Sequence, residues 1–264
     1  MTRIIVHAGF HKTGTTTLQK HLARLRKPLA PYFTYYGQND FKSAGARARI
    51  YAQRPFWHRR IRFRLSFRKF LNTIPDSDTI VLSRETFSGV MPGHRDWRGR
   101  LVTDYAPITI TLCQEVIHEV RRRFGPNAQI EFVLTTRERE PWIRSVYGHL
   151  LRSIHLRDTF EEFRAQFPGL IDLKEESQRI ARALAPYQTH VFALEDYADD
   201  RHGTAAIIMK LAHVPAALRS DLPAAARANT GQSRALEEAF FELNHSGKSK
   251  GELRRLKDAM LKTQ

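Results

Sequence analysis

The stretch Arg3-Ile4-Ile5-Val6-His7-Ala8-Gly9-Phe10-His11-Lys12-Thr13-Gly14-Thr15-Thr16-Thr17-Leu18-Gln19 decides the fold. Ile4 to Ala8 is an apolar run broken only by His7, so RIIVHAG reads as a buried strand with His7 in the core. GFHKTGTT reads as a loop. TTTLQKHLARLRK reads as a helix, because Leu18, Leu22 and Leu25 share one face at i, i+4 and i+7. A strand that passes through a glycine-bearing loop into a helix is a ready anion site. The loop N–H groups converge there, and the helix N-terminus adds partial positive charge.

Outward from this unit, DTIVLS (78–83), QIEFVLTT (129–136) and THVFALE (189–195) read as further strands. Helical patterns separate them. Leu112, Val116, Ile117, Val120 and Phe124 form one stripe over 112–124, and Ile143, Tyr147, Leu150, Leu151 and Ile154 form another over 141–154. Helices are also expected near 158–167, 175–185, 203–213 and 234–244. Alternating strands and helices predict an α/β fold, a three-layer sandwich with a mostly parallel central sheet. With no internal repeat and no Gly/Ser-rich linker, residues 1–264 read as a single domain.

The 264 residues carry 43 Lys and Arg against 27 Asp and Glu, a net charge of +16, and 42% of them are apolar, ample for a buried core. A lone cysteine, Cys113, excludes a disulfide framework and a multi-Cys zinc site, and it suits a reducing compartment. No apolar run approaches the roughly 18 residues of a membrane span. The N-terminal run is too short for a signal peptide. A soluble cytoplasmic protein with no integral membrane contact is expected.

Residues 41–75 stand apart as a basic insert, with ten Lys or Arg and no Asp or Glu. Tyr51, Phe56, Trp57, Phe63, Phe67 and Phe70 are interleaved with them. One reading is an exposed basic helix whose aromatics pack on the domain. The other is an electropositive wall that recruits an anionic partner.

Gly9 and Gly14 are five apart, as in the nucleotide-binding loop G-x-x-x-x-G-K-[ST]. Thr15 follows the second glycine, however, and the loop's lysine is Lys12. A nucleoside triphosphatase also needs a magnesium ligand, usually an Asp, at the end of a second strand. The strands here end in Ser83-Arg84-Glu85, Thr136-Arg137 and Glu195-Asp196. A strand ending in Arg137 suits a second anion better than a metal.

HKTGTTTLQ (11–19) resembles the phosphosulfate-binding loop of sulfotransferases that use 3′-phosphoadenosine 5′-phosphosulfate (PAPS), and GFHKTGTTTLQ is similar to the bacterial version. That family has a second motif for the 3′-phosphate, an Arg at a strand end followed by a Ser on the next helix, matched here by Arg137 and Ser145 in TTRERE-PWIRSVYGHL. FALEDYADD (192–200) is similar to a strand-then-acidic segment late in the family. The resemblance covers residues 3 to about 213; residues 41–75 and the C-terminal tail match no pattern. Pro141 suits the first turn of a helix, and Ser145, His149 and Arg152 form a row opposite its apolar stripe.

The resemblance implies transfer of a sulfuryl group from PAPS to a hydroxyl or amine, with PAP as product and no metal. Lys12, Thr13, Gly14, Thr15 and Thr16 would hold the 5′-phosphosulfate, through backbone N–H groups and the Thr15 and Thr16 hydroxyls. Arg137 and Ser145 would hold the 3′-phosphate. Lys12 would also neutralise charge growing on the bridging oxygen, and positioned donors of this sort contribute about 3–4 kcal/mol each. Glu85, just after a strand, is the candidate base, with the competing reading of a carboxylate paired with Arg84 or another cation. His94 and His11 are further candidates. Asn229-Thr230-Gly231-Gln232-Ser233 is a polar loop that could close over the nucleotide.

The acceptor suited to residues 41–75 is an anionic glycan or lipid head group, not nucleic acid, and neutralising Arg59, Arg60, Arg62 and Arg64 would raise its KM. Two other classes stay open. A P-loop kinase would need ATP and magnesium. A non-enzymatic polyanion-binding protein would work through residues 41–75, with steep salt dependence and no need of Lys12.

Overall fold

The computed structural model describes residues 1–167, 169, 172–226 and 233–261. Along the chain run β1 (Arg3–His7), α1 (Thr15–Arg24), α2 (Arg26–Leu29), β2 (Thr34–Tyr36), α3 (Lys42–Gln53), α4 (Trp57–Leu71) and β3 (Thr79–Ser83). There follow α5 (Ala106–Phe124), β4 (Gln129–Thr136), α6 (Arg139–Ser153), α7 (Phe160–Ala165), α8 (Leu173–Leu184) and β5 (Gln188–Ala193). The chain continues through α9 (Ala205–Leu211), α10 (Ala216–Asp221), α11 (Arg234–His245) and α12 (Lys250–Met260).

The five strands form one sheet in the order β2-β3-β1-β4-β5. Every pairing is parallel, and β1 registers Ile5 against both Val81 and Glu131. The fold is therefore α/β, with helices on both faces of the sheet. Alternation along the strands splits the core in two. Ile4, Val6, Ile80, Leu82, Ile130, Phe132 and Leu134 face the layer built by α3, α4, α5, α6, α8 and α11. Ile5, Val81 and Val133 face the layer built by α1, α2 and α9.

This division opens the crevice. β1 sends its chain to the α1 layer, whereas its neighbours β3 and β4 send theirs to the opposite layer. Chains that diverge from adjacent parallel strands leave a gap outside the strands' carboxyl ends, where ligands of such sheets bind. The β1–α1 loop sits in that gap.

Several local expectations change. The helix expected over 15–27 breaks at Leu25 (φ −95°, ψ 13°) into α1 and α2. α5 begins six residues before the stripe at 112, because Pro107 takes the first turn, where its missing N–H costs nothing. Ile154 is 38% exposed, since α6 ends at Ser153 and Ile154 leaves the helical phase. β2 is a strand the pattern did not announce; its Thr-Tyr-Tyr is too short to show periodicity. His7 is fully buried as expected, and burial pushes its pKa down to about 3.

The basic stretch 41–75 is the connection from β2 to β3. Its two helices stack on each other and α4 also packs on α5, with Tyr51, Phe63 and Phe67 in the core. Arg60 and Arg64 turn toward Glu115 of α5, and Arg68 toward Glu119. The expected packing of the aromatics on the domain holds for Tyr51, Phe63 and Phe67, whereas Phe56 and Trp57 stay exposed.

Candidate functional site

The β1–α1 loop is held by its carbonyls. Ser88 Oγ donates to the carbonyls of Ala8 and Gly9, and Thr13 Oγ1 donates to that of Phe10 at 2.6 Å. Trp142 Nε1 donates to His11 O at 3.0 Å, Arg137 Nη1 to Lys12 O at 3.3 Å, and Thr204 Oγ1 to Gly14 O at 2.9 Å. With the acceptors tied back, the donors are left over. Among the described residues, no backbone N–H from Lys12 to Thr17 donates a hydrogen bond, while that of His11 faces the Tyr105 hydroxyl. α1 has no side-chain cap and no acid in its first turn. Buried or half-buried N–H groups without partners are costly, and an anion is what satisfies a cluster of them.

The loop's shape depends on its glycines. Gly14 caps α1 in the left-handed region at φ 83°, where a side chain would be strained. A Cβ on Gly9 would lie on His7 Nε2, 2.7 Å from Thr15 Cγ2 and 2.8 Å from Thr135 Oγ1. Lys12 also lies in the left-handed region, at φ 67°. For a side chain with a β-carbon this conformation costs about 1–2 kcal/mol, so the surrounding contacts impose it.

The threonines divide their work. Thr13 is buried, its hydroxyl shared between Phe10 O and Thr135 Oγ1 at 2.6 Å each, so only its backbone faces the crevice. Thr15 Oγ1 donates to Glu85 Oε2 at 2.9 Å. The Thr16 hydroxyl is half-buried at the second position of α1.

Glu85 stands in the turn after β3 (Glu85–Ser88) and does not pair with Arg84, which donates instead to Gln38 O and Thr86 Oγ1. Its second oxygen lies 3.3 Å from His11 Nε2. His11 Nδ1 is 3.4 Å from the hydroxyl of the buried Tyr105. Tyr105, His11, Glu85 and Thr15 thus form one polar array along the floor of the crevice.

Around it stands a set of cations with little anionic company. The Lys12 ammonium is pushed below its ordinary pKa by burial and by Arg152 and Arg137, with Glu85 as the opposing influence. His149 is lowered to about 4 by burial, then by Lys12, Arg152, His94 and His11. His94 is lowered to about 4 by burial, then by His11 and Arg49. These groups lower one another's affinity for protons, and both imidazoles are neutral near pH 7.

Of the residues read from sequence, the structure brings Lys12, Thr13, Gly14, Thr15, Thr16, Glu85 and Arg137 together. Ser145 is half-buried on α6 on the row of His149 and Arg152, one turn from His149, and makes no hydrogen bond with the loop. Asn229 to Gln232 lie outside the described residues. Tyr105, Trp142, Thr204 and Ser88 were not singled out by sequence. The two aromatics look like ordinary core, and a lone hydroxyl far along the chain carries no pattern.

The fold is that of a parallel α/β protein whose first loop turns unpaired N–H groups and a strained lysine toward a cationic crevice. No family model matches the chain, and no curated protein matches it. No helix among the described residues is long and apolar enough to cross a membrane.

Proposed function

We propose that the chain is a sulfotransferase that moves a sulfuryl group from PAPS to a hydroxyl or amine. The observation that carries this reading is the β1–α1 loop: its carbonyls are tied back by side chains, its N–H groups from Lys12 to Thr17 are left without partners, and Lys12 within it is crowded electrostatically by Arg137 and Arg152. The residues present fit a donor with two phosphate-bearing ends. Loop N–H groups and the Thr16 hydroxyl would take the 5′-phosphosulfate. Arg137, at the end of β4, and Ser145 would take the 3′-phosphate.

The donor supplies an activated sulfuryl group and its own anionic leaving group. Lys12 holds positive charge where the leaving oxygen gains negative charge, and a preorganised cation needs no rearrangement to act. Glu85 has one oxygen on Thr15 and the other on His11, which fixes its direction. As base it takes the proton of the acceptor hydroxyl as the new sulfur–oxygen bond forms. His11, held by Tyr105, steadies that carboxylate.

A second reading draws on the Thr15–Glu85 pair. In P-loop kinases a loop hydroxyl and a strand-end carboxylate together hold magnesium. Against it stands the position of Lys12, inside the loop and two residues before the second glycine.

Calorimetric titration with PAP in EDTA, beside ATP with magnesium, tests both. PAP binding that Lys12→Met weakens, with no preference for ATP, is the expected result. Tighter binding of ATP with magnesium, or no PAP binding, overturns the sulfotransferase.

A further inference from the structure

The cations of residues 41–75 do two different jobs. Arg64 lies 3.8 Å from Glu115 and Arg68 lies 2.8 Å from Glu119, while Arg60 closes on Glu115 as well; both glutamates are buried. Arg47, Arg54, Arg59 and Arg62 have no carboxylate partner among the described residues, although Arg47 lies on α3, Arg59 and Arg62 on α4, and Arg54 just past the end of α3. These four do nothing for the core.

The tip where α3 meets α4 also carries large apolar side chains in water. Arg54, Pro55 and Phe56 link α3 to α4, and at this tip Phe56 is 36% exposed and Trp57 74%. The turn around residue 97 meets it: the Phe56 and Trp97 rings lie 5.0 Å apart, and Trp97 is 43% exposed. Arg98 lies 4.5 Å over the Trp97 ring and Arg59 5.8 Å over Phe56. Exposed tryptophan and phenylalanine ringed by arginines is the composition that sits at a lipid–water boundary. There the rings enter the headgroup region and the guanidinium groups meet lipid phosphates.

We propose that the α3–α4 tip and the turn around Trp97 dock the protein peripherally on an anionic phospholipid bilayer. Charge complementarity supplies the attraction and the aromatic tip supplies the insertion. The rings favour a bilayer over a polyanionic chain, because single-stranded nucleic acids and sugars need ring faces for stacking. Here Arg98 covers Trp97, while His58 stacks on Phe56 at 5.8 Å and Arg59 lies over it. Among the described residues Trp57, the most exposed of the three rings, meets only the His58 ring, at 5.9 Å and edge-on, and stands at the tip where an indole enters the headgroup region. The docked face adjoins the crevice: His94 lies three residues before Trp97, and Arg49 of α3 bears on both His94 and His11. The docking does not depend on the transfer reaction.

Tryptophan is its own reporter, since Trp142, the third of the chain's three, is buried. Full-length protein is mixed with phosphatidylcholine vesicles with or without phosphatidylglycerol. Partition is read by sedimentation, and emission is read with and without brominated acyl chains. Expected are binding to the anionic vesicles alone, a blue shift, and quenching by bromine. Trp57→Ala should weaken partition about tenfold, and Arg54→Gln with Arg62→Gln about thirtyfold, with melting temperatures unchanged. Failure to bind anionic vesicles overturns the proposal. So does binding without quenching, which leaves the rings in water, or tighter binding of heparin or single-stranded DNA through the same residues.

Discussion

Glu85 Oε2 accepts a hydrogen bond from Thr15 Oγ1 at 2.9 Å, joining the turn after β3 to the first residue of α1 across a separation of 70 residues. The bond orients the carboxylate and leaves its other oxygen for His11. Glu85→Gln keeps an acceptor for Thr15 while removing the base. Turnover with any acceptor should therefore fall by about 10²–10⁴, with PAP affinity unchanged. Equal loss of PAP affinity, read by calorimetry, would reduce Glu85 to a strut for the loop.

Lys12 combines backbone strain with function, and the two separate in a glycine variant. At φ 67° a side chain costs about 1–2 kcal/mol that glycine does not, and the substitution also removes a cation crowded by Arg152 and Arg137. Lys12→Gly should raise the melting temperature by roughly 2–4 °C and abolish PAP binding. A drop in melting temperature would show that the lysine holds the loop together.

His94 and His149 titrate at about 4 in the free protein, below the ordinary 6.5, through burial and neighbouring cations. An anion in the crevice offsets those cations and raises both values, so binding takes up protons between about pH 4 and 6.5. Calorimetry at about pH 5.5 in two buffers of different ionisation enthalpy should show net proton uptake with PAP. Release of protons would mean that the imidazoles do not face the bound anion.

His7 and His21 lie lower than an unfolded histidine, at about 3 and about 4, both chiefly through burial. The unfolded chain therefore binds protons that the folded chain refuses. The stability these groups contribute is fully present above about pH 6.5 and is lost as pH falls toward 4. His21 sits in a directed chain, with its Nε2 2.9 Å from His202 Nδ1 and His202 Nε2 donating to Arg219 O at 2.6 Å. Melting temperature should decline over this range, and His21→Gln should flatten the decline. An unchanged slope would assign it to other groups.

Arg68 and Arg62 lie six residues apart on α4 with opposite roles. Arg68 makes a two-pronged contact with the buried Glu119, at 2.8 Å from both Nε and Nη2. Arg68→Met leaves that carboxylate with less compensation and should lower the melting temperature; Arg62→Gln should leave it unchanged. The same logic bears on neutralising Arg59, Arg60, Arg62 and Arg64 together. Arg60 and Arg64 serve Glu115, so any effect on an acceptor is read cleanly only from Arg59 and Arg62. Equal melting temperatures for the Arg68 and Arg62 variants would contradict this division.

Residues 3–19 by themselves determined a strand, a glycine-bearing loop and an amphipathic helix, and the alternation beyond them determined an α/β sandwich. Local periodicity and turn chemistry carry such information because each depends on residues a few positions apart. Lys12 and Arg137 were legible for the same reason, one inside the loop after β1 and the other directly after β4. Tertiary structure alone decided the order β2-β3-β1-β4-β5, which puts β1 between two strands whose chains leave on the other face. It also decided that Glu85 meets Thr15 and not Arg84, and which of the ten basic residues in 41–75 serve buried glutamates. Ser145, named through the second motif, stays on its helix without a hydrogen bond to the loop. Pairings across dozens of residues follow from packing of the whole core, and no local stretch of sequence contains them.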